Sequence, residues 1–165
     1  MDHDSLRALI EELRRTPARL EALMSRIRPE DQTRRPRPDA FSARENVHHL
    51  RDVEAEGYGP RLQRLLAEPD PVLPDLAGDE LARQRRYNER PHESTLVEFS
   101  RLRAANVERL LRLVPEDLER KGSWENVGPV TLGKVLTMWR DHDRGHVDEI
   151  AFLAGERPAE PKHNL

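Results

Sequence analysis

His142 and His146 stand four residues apart, so on a helix their imidazoles point the same way, one turn above the other. They continue an apolar row of Val135, Trp139, Ile150 and Leu153, so two polar rings take inward-facing places on a hydrophobic stripe. A third, His49, shares the inner side of another helix with Leu50 and Val53. Burying an imidazole without a partner is costly. A divalent cation removes that cost, because neutral imidazole nitrogens are good ligands for zinc and other first-row metals. Two ligands from one helix and one from a facing helix cap one side of an ion and leave the other open, as in a reactive site. The bland alternative is a core in which the three rings only hydrogen-bond one another and water.

The other charged and titratable groups sort by position. His48 falls with Arg44, Asp52 and Ala55 on the side expected to face solvent, and His3, His92 and His163 lie near a terminus or a loop and receive no role. Asp141, Asp143 and Asp148 read as solvated helix-face charges, while Asp52 or Glu149 is expected to orient a ligand imidazole. No side chain is singled out as catalytic: the nucleophile is expected to be held by the metal at its open side. Metal should be lost below pH about 6, where imidazoles of ordinary pKa near ~6.5 take up protons. Trp124, Tyr87 and Arg51 are candidate substrate contacts at the bundle mouth, with nothing to rank them.

Four amphipathic stripes must position these residues. Residues 5–27 carry Leu6, Leu9, Ile10, Leu13, Leu20, Leu23, Met24 and Ile27, with Pro17 expected to bend that helix or leave one bond unmade. A second helix opens on a capping box, Ser42 with Glu45, and runs through Asn46, His49 and Leu50 to Leu66, kinked by Gly57, Gly59 and Pro60. The third spans residues 95–114 and the fourth residues 131–153, stopped by Gly155 and Pro158. Residues 67–94 form a long connection with a short helix expected at 79–88, capped by Asp79, and only residues 124–130 suggest an extended piece. Four such helices make an all-α four-helix bundle with a long crossover between helices 2 and 3, as one domain over residues 1–165.

Composition narrows the function classes. The chain has 165 residues and no cysteine, which removes disulfides, Cys-based zinc sites and a thiol nucleophile. Lys and Arg number 28 against 31 Asp and Glu, a net charge of −3 that leaves nucleic-acid binding without an electrostatic footing. Met1 leads into Asp2, His3 and Asp4 rather than a basic and apolar leader, and no apolar run approaches membrane-spanning length. The expectation is a cytoplasmic protein with a small-molecule substrate and neither membrane nor nucleic acid as partner.

Residues 42–54, Ser-Ala-Arg-Glu-Asn-Val-His-His-Leu-Arg-Asp-Val-Glu, together with Thr131-Leu132 and the segment from Asp141-His142 through His146 to Ile150, resemble the DinB/YfiT-like family of metal-dependent enzymes. The resemblance covers nearly the whole chain. It implies an up-down-down-up bundle, a divalent metal on His49, His142 and His146, and frequent homodimers. It further implies a transferase activating a low-molecular-weight thiol of the bacillithiol type. The alternatives are a metal-dependent hydrolase or a non-catalytic metal-binding or ligand-binding stress-response protein. Three imidazoles suit zinc, nickel or iron, so the donor set does not name the metal.

Overall fold

The first helix, α1 (His3–Met24), begins where the Asp2 carboxylate accepts the Ser5 amide at 2.8 Å. It buries Leu6, Leu9, Leu13, Leu20 and Leu23 along one side. Pro17 sits inside it without ending it. Proline has no N–H, so the Leu13 carbonyl four residues earlier loses its helical partner. Arg103 supplies the replacement, donating from Nη1 to Leu13 O at 2.8 Å. The computed structural model describes residues 1–156; His163 and Pro158 lie outside the described residues.

The second bundle helix is built in three pieces. Its first, α2 (Ala43–Asp52), carries the expected capping box, with Ser42 Oγ accepting the Glu45 amide and Glu45 accepting the Ser42 amide. The expected kink is a π-helical turn, Val53–Tyr58, leading into α3 (Gly59–Ala67). Gly59 donates its amide to Glu54 O, five residues back, and a Cβ at position 59 would lie 2.7 Å from that oxygen. The wide turn therefore needs a residue without a side chain there.

The crossover contains a two-residue strand, β1 (Val72–Leu73), a helix, α4 (Gly78–Gln84), and a 3₁₀ turn, Tyr87–Glu89. Asp79 does not cap α4: Ala77 holds that position without a side-chain bond, and Asp79 lies in the first turn. Next, α5 (Glu93–Leu110) ends earlier than its apolar stripe suggests, and Leu111 and Val114 lie beyond it, 60% and 51% exposed. The extended piece is a hairpin, β2 (Lys121–Trp124) with β3 (Gly128–Thr131), turned by Asn126 and Gly128 at positive φ. β1 adds to β2 in parallel, a pairing too short for any alternation to announce. Finally α6 (Leu132–Leu153) starts on Thr131, whose hydroxyl accepts the Lys134 amide, and stops at Gly155 with φ +77.

The four long helices form an all-α, up-down-down-up bundle, with the small sheet at one side. α1 and α2 each pack against both α5 and α6. The core divides in two apolar clusters, and each helix crosses the division at a polar place. On α1 it falls between Leu13 and Leu20, on the second helix between Leu50 and Val53, on α5 between Phe99 and Val107, and on α6 between Trp139 and Ile150. The intervals on α5 and α6 hold Arg103, His142, Asp143 and His146, while His49 and Glu54 flank the division on the second helix. Among the described residues no helix is long and apolar enough to cross a membrane.

Candidate metal centre

His49 comes from the last turn of α2, and His142 and His146 from the middle of α6. One ligand nitrogen from each lies within 4.8 Å of the other two, drawn together across the bundle as their stripe positions suggested. The His49 and His142 Nε2 atoms are 3.1 Å apart, and the ring centroids are separated by 4.5–5.2 Å. Phe41 lies 5.3 Å from the His49 ring and stacks on His146, while Tyr58 meets His142 edge-on at 5.6 Å. On the crossover side Gly78 touches His49 so closely that a Cβ there would stand 2.5 Å from Cε1.

The electrostatics hold two of the rings, His49 and His142, neutral. Burial, with the neighbouring His146 and His142 adding to it, pushes the His49 pKa down to about 2. Burial also lowers that of His142, against the opposing pull of Asp143. Neutral rings keep a lone pair for a cation. The His49 and His142 Nδ1 atoms are buried and have no hydrogen-bond partner, and two Nε2 atoms at hydrogen-bond distance can share only one proton between them. A group of imidazoles left under-satisfied in this way, with no lysine or arginine among them, fits a divalent ion.

Several charged groups lie elsewhere than their sequence positions suggested. His48 is fully buried rather than solvated. Its Nε2 donates to Arg90 O at 3.2 Å, its Nδ1 accepts from the Thr95 hydroxyl, and its ring stacks on Tyr87. Polar partners at both ring nitrogens are what make that burial tolerable. Asp52 orients no imidazole: it accepts from Tyr87 Oη and Arg85 Nη1 at 2.5 Å each and pairs with Arg51. Tyr87 and Arg51 are thereby committed to Asp52, and Trp124 lies under Arg61 with its Nε1 donating to Asp75. Glu149 does reach the site, with Oε2 3.5 Å from His146 Nδ1.

Asp143 is buried, not solvated, and belongs to a charge cluster beside the histidines. Arg103, 1% exposed, donates from Nε and Nη2 to Glu54 at 3.0 and 2.8 Å and from Nη1 to Asp143 at 2.6 Å. Burial works against the guanidinium's charge, but Asp143 and Glu54 outweigh it and raise the Arg103 pKa. Burial likewise opposes the Asp143 carboxylate, and Arg103 nonetheless holds its pKa below the ordinary value. Asn106 adds a bond to Glu54 at 2.8 Å. The available signal for Arg103 was a charged residue four places after Phe99 and four before Val107, within an apolar stripe. The signal for Asn46, whose Oδ1 is 2.6 Å from His146 Nδ1, was an amide three residues before His49 on the inner face.

Comparison with known proteins agrees with this architecture. YfiT from Bacillus subtilis, described as a probable metal-dependent hydrolase with an unusual four-helix bundle topology, superposes with a TM-score of 0.87 at 18% identity, over 94% of this chain and 89% of that one. A protein of Oceanobacillus iheyensis, whose name gives it provisionally as a metal-dependent hydrolase, is 28% identical over 117 residues, or 71% of this chain and 67% of the relative. The sequence model of the DinB superfamily matches residues 12–150, which include all three clustered histidines. The chain belongs to the DinB superfamily.

Proposed function

We propose that the chain is a divalent-metal enzyme in which His49, His142 and His146 hold the ion, and that it transfers a low-molecular-weight thiol to a small electrophile. The observation that carries this reading is the three-imidazole cluster, joined by no carboxylate oxygen among the described residues. Three neutral ligands leave a bound divalent ion its full charge, supplying a Lewis acid that favours the deprotonated form of a thiol or water at its open side. Burial keeps His49 and His142 neutral and ready to ligate. Phe41 and Tyr58 cover the flanks of the rings and limit the approach of water there.

The nearby carboxylates favour thiol transfer over hydrolysis. Glu54 and Asp143 are bound to Arg103, Asp52 to Tyr87 and Arg85, and Glu149 lies at the Nδ1 side of His146. Three of these four carboxylates are engaged by other side chains rather than available as a general base for water, whereas a free thiol of pKa ~8.5 loses its proton more readily than free water does. Hydrolysis is the second reading, supported by the names of the Oceanobacillus and Bacillus proteins.

The test uses protein loaded in turn with zinc and nickel. Conjugation of bacillithiol to a chlorinated aromatic electrophile, abolished in His142→Ala and His146→Ala, is the expected result. Turnover of an activated ester without thiol would instead select hydrolysis. Equal rates in wild type and both variants would reject a metal-centred activity altogether.

A further inference from the structure

Of the three clustered imidazoles, only His146 has a protein hydrogen bond on the nitrogen that faces away from the others. The partner is Asn46, fully buried on α2, with Oδ1 2.6 Å from His146 Nδ1. The direction of this bond can be deduced. Asn46 Nδ2 donates at 3.1 Å to the Ser42 carbonyl, which can only accept, so the amide nitrogen is turned away from the ring. The oxygen therefore faces His146, and Nδ1 must carry the proton. The lone pair is then left on Nε2.

We propose that Asn46 is the positioning residue of this centre: its carboxamide oxygen holds the His146 ring in the Nδ1–H tautomer and presents Nε2 to the metal. This rests on the reading of the three imidazoles as ligands. Glu149 is the weaker partner of the ring, since its oxygen stands 3.5 Å from Nδ1 against 2.6 Å for Asn46 and its side chain is half in solvent. It adds negative charge near the ring. The choice of a neutral amide has a consequence, because a carboxylate in its place would draw the Nδ1 proton and put extra charge on the ligand. The acceptor at this position is an uncharged amide oxygen, so Asn46 itself adds no negative charge to the ligand. The arrangement also couples the helices. Asn46 sits one turn before His49, so α2 supplies one ligand and steers another that belongs to α6.

Two measurements test the proposal. Nitrogen-15 chemical shifts of the metal-free wild type should show His146 as the Nδ1–H tautomer, whether or not metal binds. Zinc titrations of wild type, Asn46→Leu and Asn46→Asp should show affinity about 10- to 100-fold weaker in the Leu variant. Asn46→Asp keeps the acceptor and should restore binding. A residue with a merely structural role would lower the melting temperature without altering the tautomer. An Nε2–H ring in the wild type, or a folded Asn46→Leu protein that binds zinc as tightly as wild type, overturns the proposal. A wild type that shows the Nδ1–H ring but takes up no zinc would overturn the metal reading and leave the ring's positioning by Asn46 standing.

Discussion

Arg103 Nη1 donates to the carbonyl oxygen of Leu13, the one group on α1 that Pro17 deprives of its helical partner. The same nitrogen bonds Asp143 on α6, and the rest of the guanidinium grips Glu54 in the π-helical turn. One side chain thus ties all four bundle helices together at the level where the apolar core divides. The helix irregularities at Pro17 and at Val53–Tyr58 both supply it with acceptors, and Asp143 adjoins the ligand candidate His142 in the chain.

Removing that guanidinium should be severe. Arg103→Met would strand two buried carboxylates and an unsatisfied carbonyl, a loss of about 3–5 kcal/mol. Urea unfolding measures it directly. A loss under about 1 kcal/mol would mean that the carboxylates find water or protons instead, and that the cluster is not a structural tie.

Gly78 should matter to the histidines more than to the fold. Its φ is not in the left-handed region, so alanine is acceptable to the backbone, yet the new Cβ would stand 2.5 Å from His49 Cε1 and 2.9 Å from Nδ1. The ring must move away. Gly78→Ala should keep its helical circular dichroism and bind zinc more weakly, on the order of 10- to 100-fold, as when ligand orientation is disturbed. Unchanged affinity would show that the crossover gives way and the ring does not.

Acid should destabilise the metal-free protein. The folded-state pKa of His49 is about 2, below its unfolded value near ~6.5, and those of His48, His92 and His142 are also depressed, in each case chiefly by burial. The unfolded chain therefore binds more protons, and the stability contributed by the neutral rings is complete above pH about 6.5 and lost as the pH falls below it. For His49, whose two pKa values lie far apart, the slope approaches about 1.4 kcal/mol per pH unit between them. A urea midpoint that stays flat between pH 7.5 and 5.5 would contradict this. For His49 and His142 it also moves proton competition with metal below the threshold near pH 6 that ordinary imidazoles would set.

Metal should stabilise the fold through the same residues. A site that exists only in the folded state adds about 2.7 kcal/mol when free ion exceeds its dissociation constant 100-fold. The melting temperature should rise with zinc or nickel, fall back with a chelator, and stay fixed in His142→Ala. A rise of equal size in that variant would place the ion elsewhere.

The long helices were legible because the apolar spacing of 3–4 residues and the Ser42–Glu45 cap are local facts. The three clustered histidines were legible for a related reason: each interrupts a hydrophobic stripe, and polar rings on an inner face must meet. His48 and Asp52 were misread because a helix wheel shows only which way a side chain leaves its own helix. It does not show that the crossover, through Arg90 O, Tyr87 and Arg85, covers that side. Asp143 was misread for the same reason, its partner being 40 residues away on α5.

Sequence by itself determined the long helices, their apolar stripes and the three imidazoles that interrupt them, since periodicity and capping act within one or two turns. Tertiary structure decided which helix faces which, and so which polar groups share a partner. That is why the carboxylates seen as solvent-facing became bound to arginines, and why an amide, Asn46, lies against His146. Hydrogen bonds between residues 33 to 100 positions apart depend on helix packing, and no local pattern encodes them.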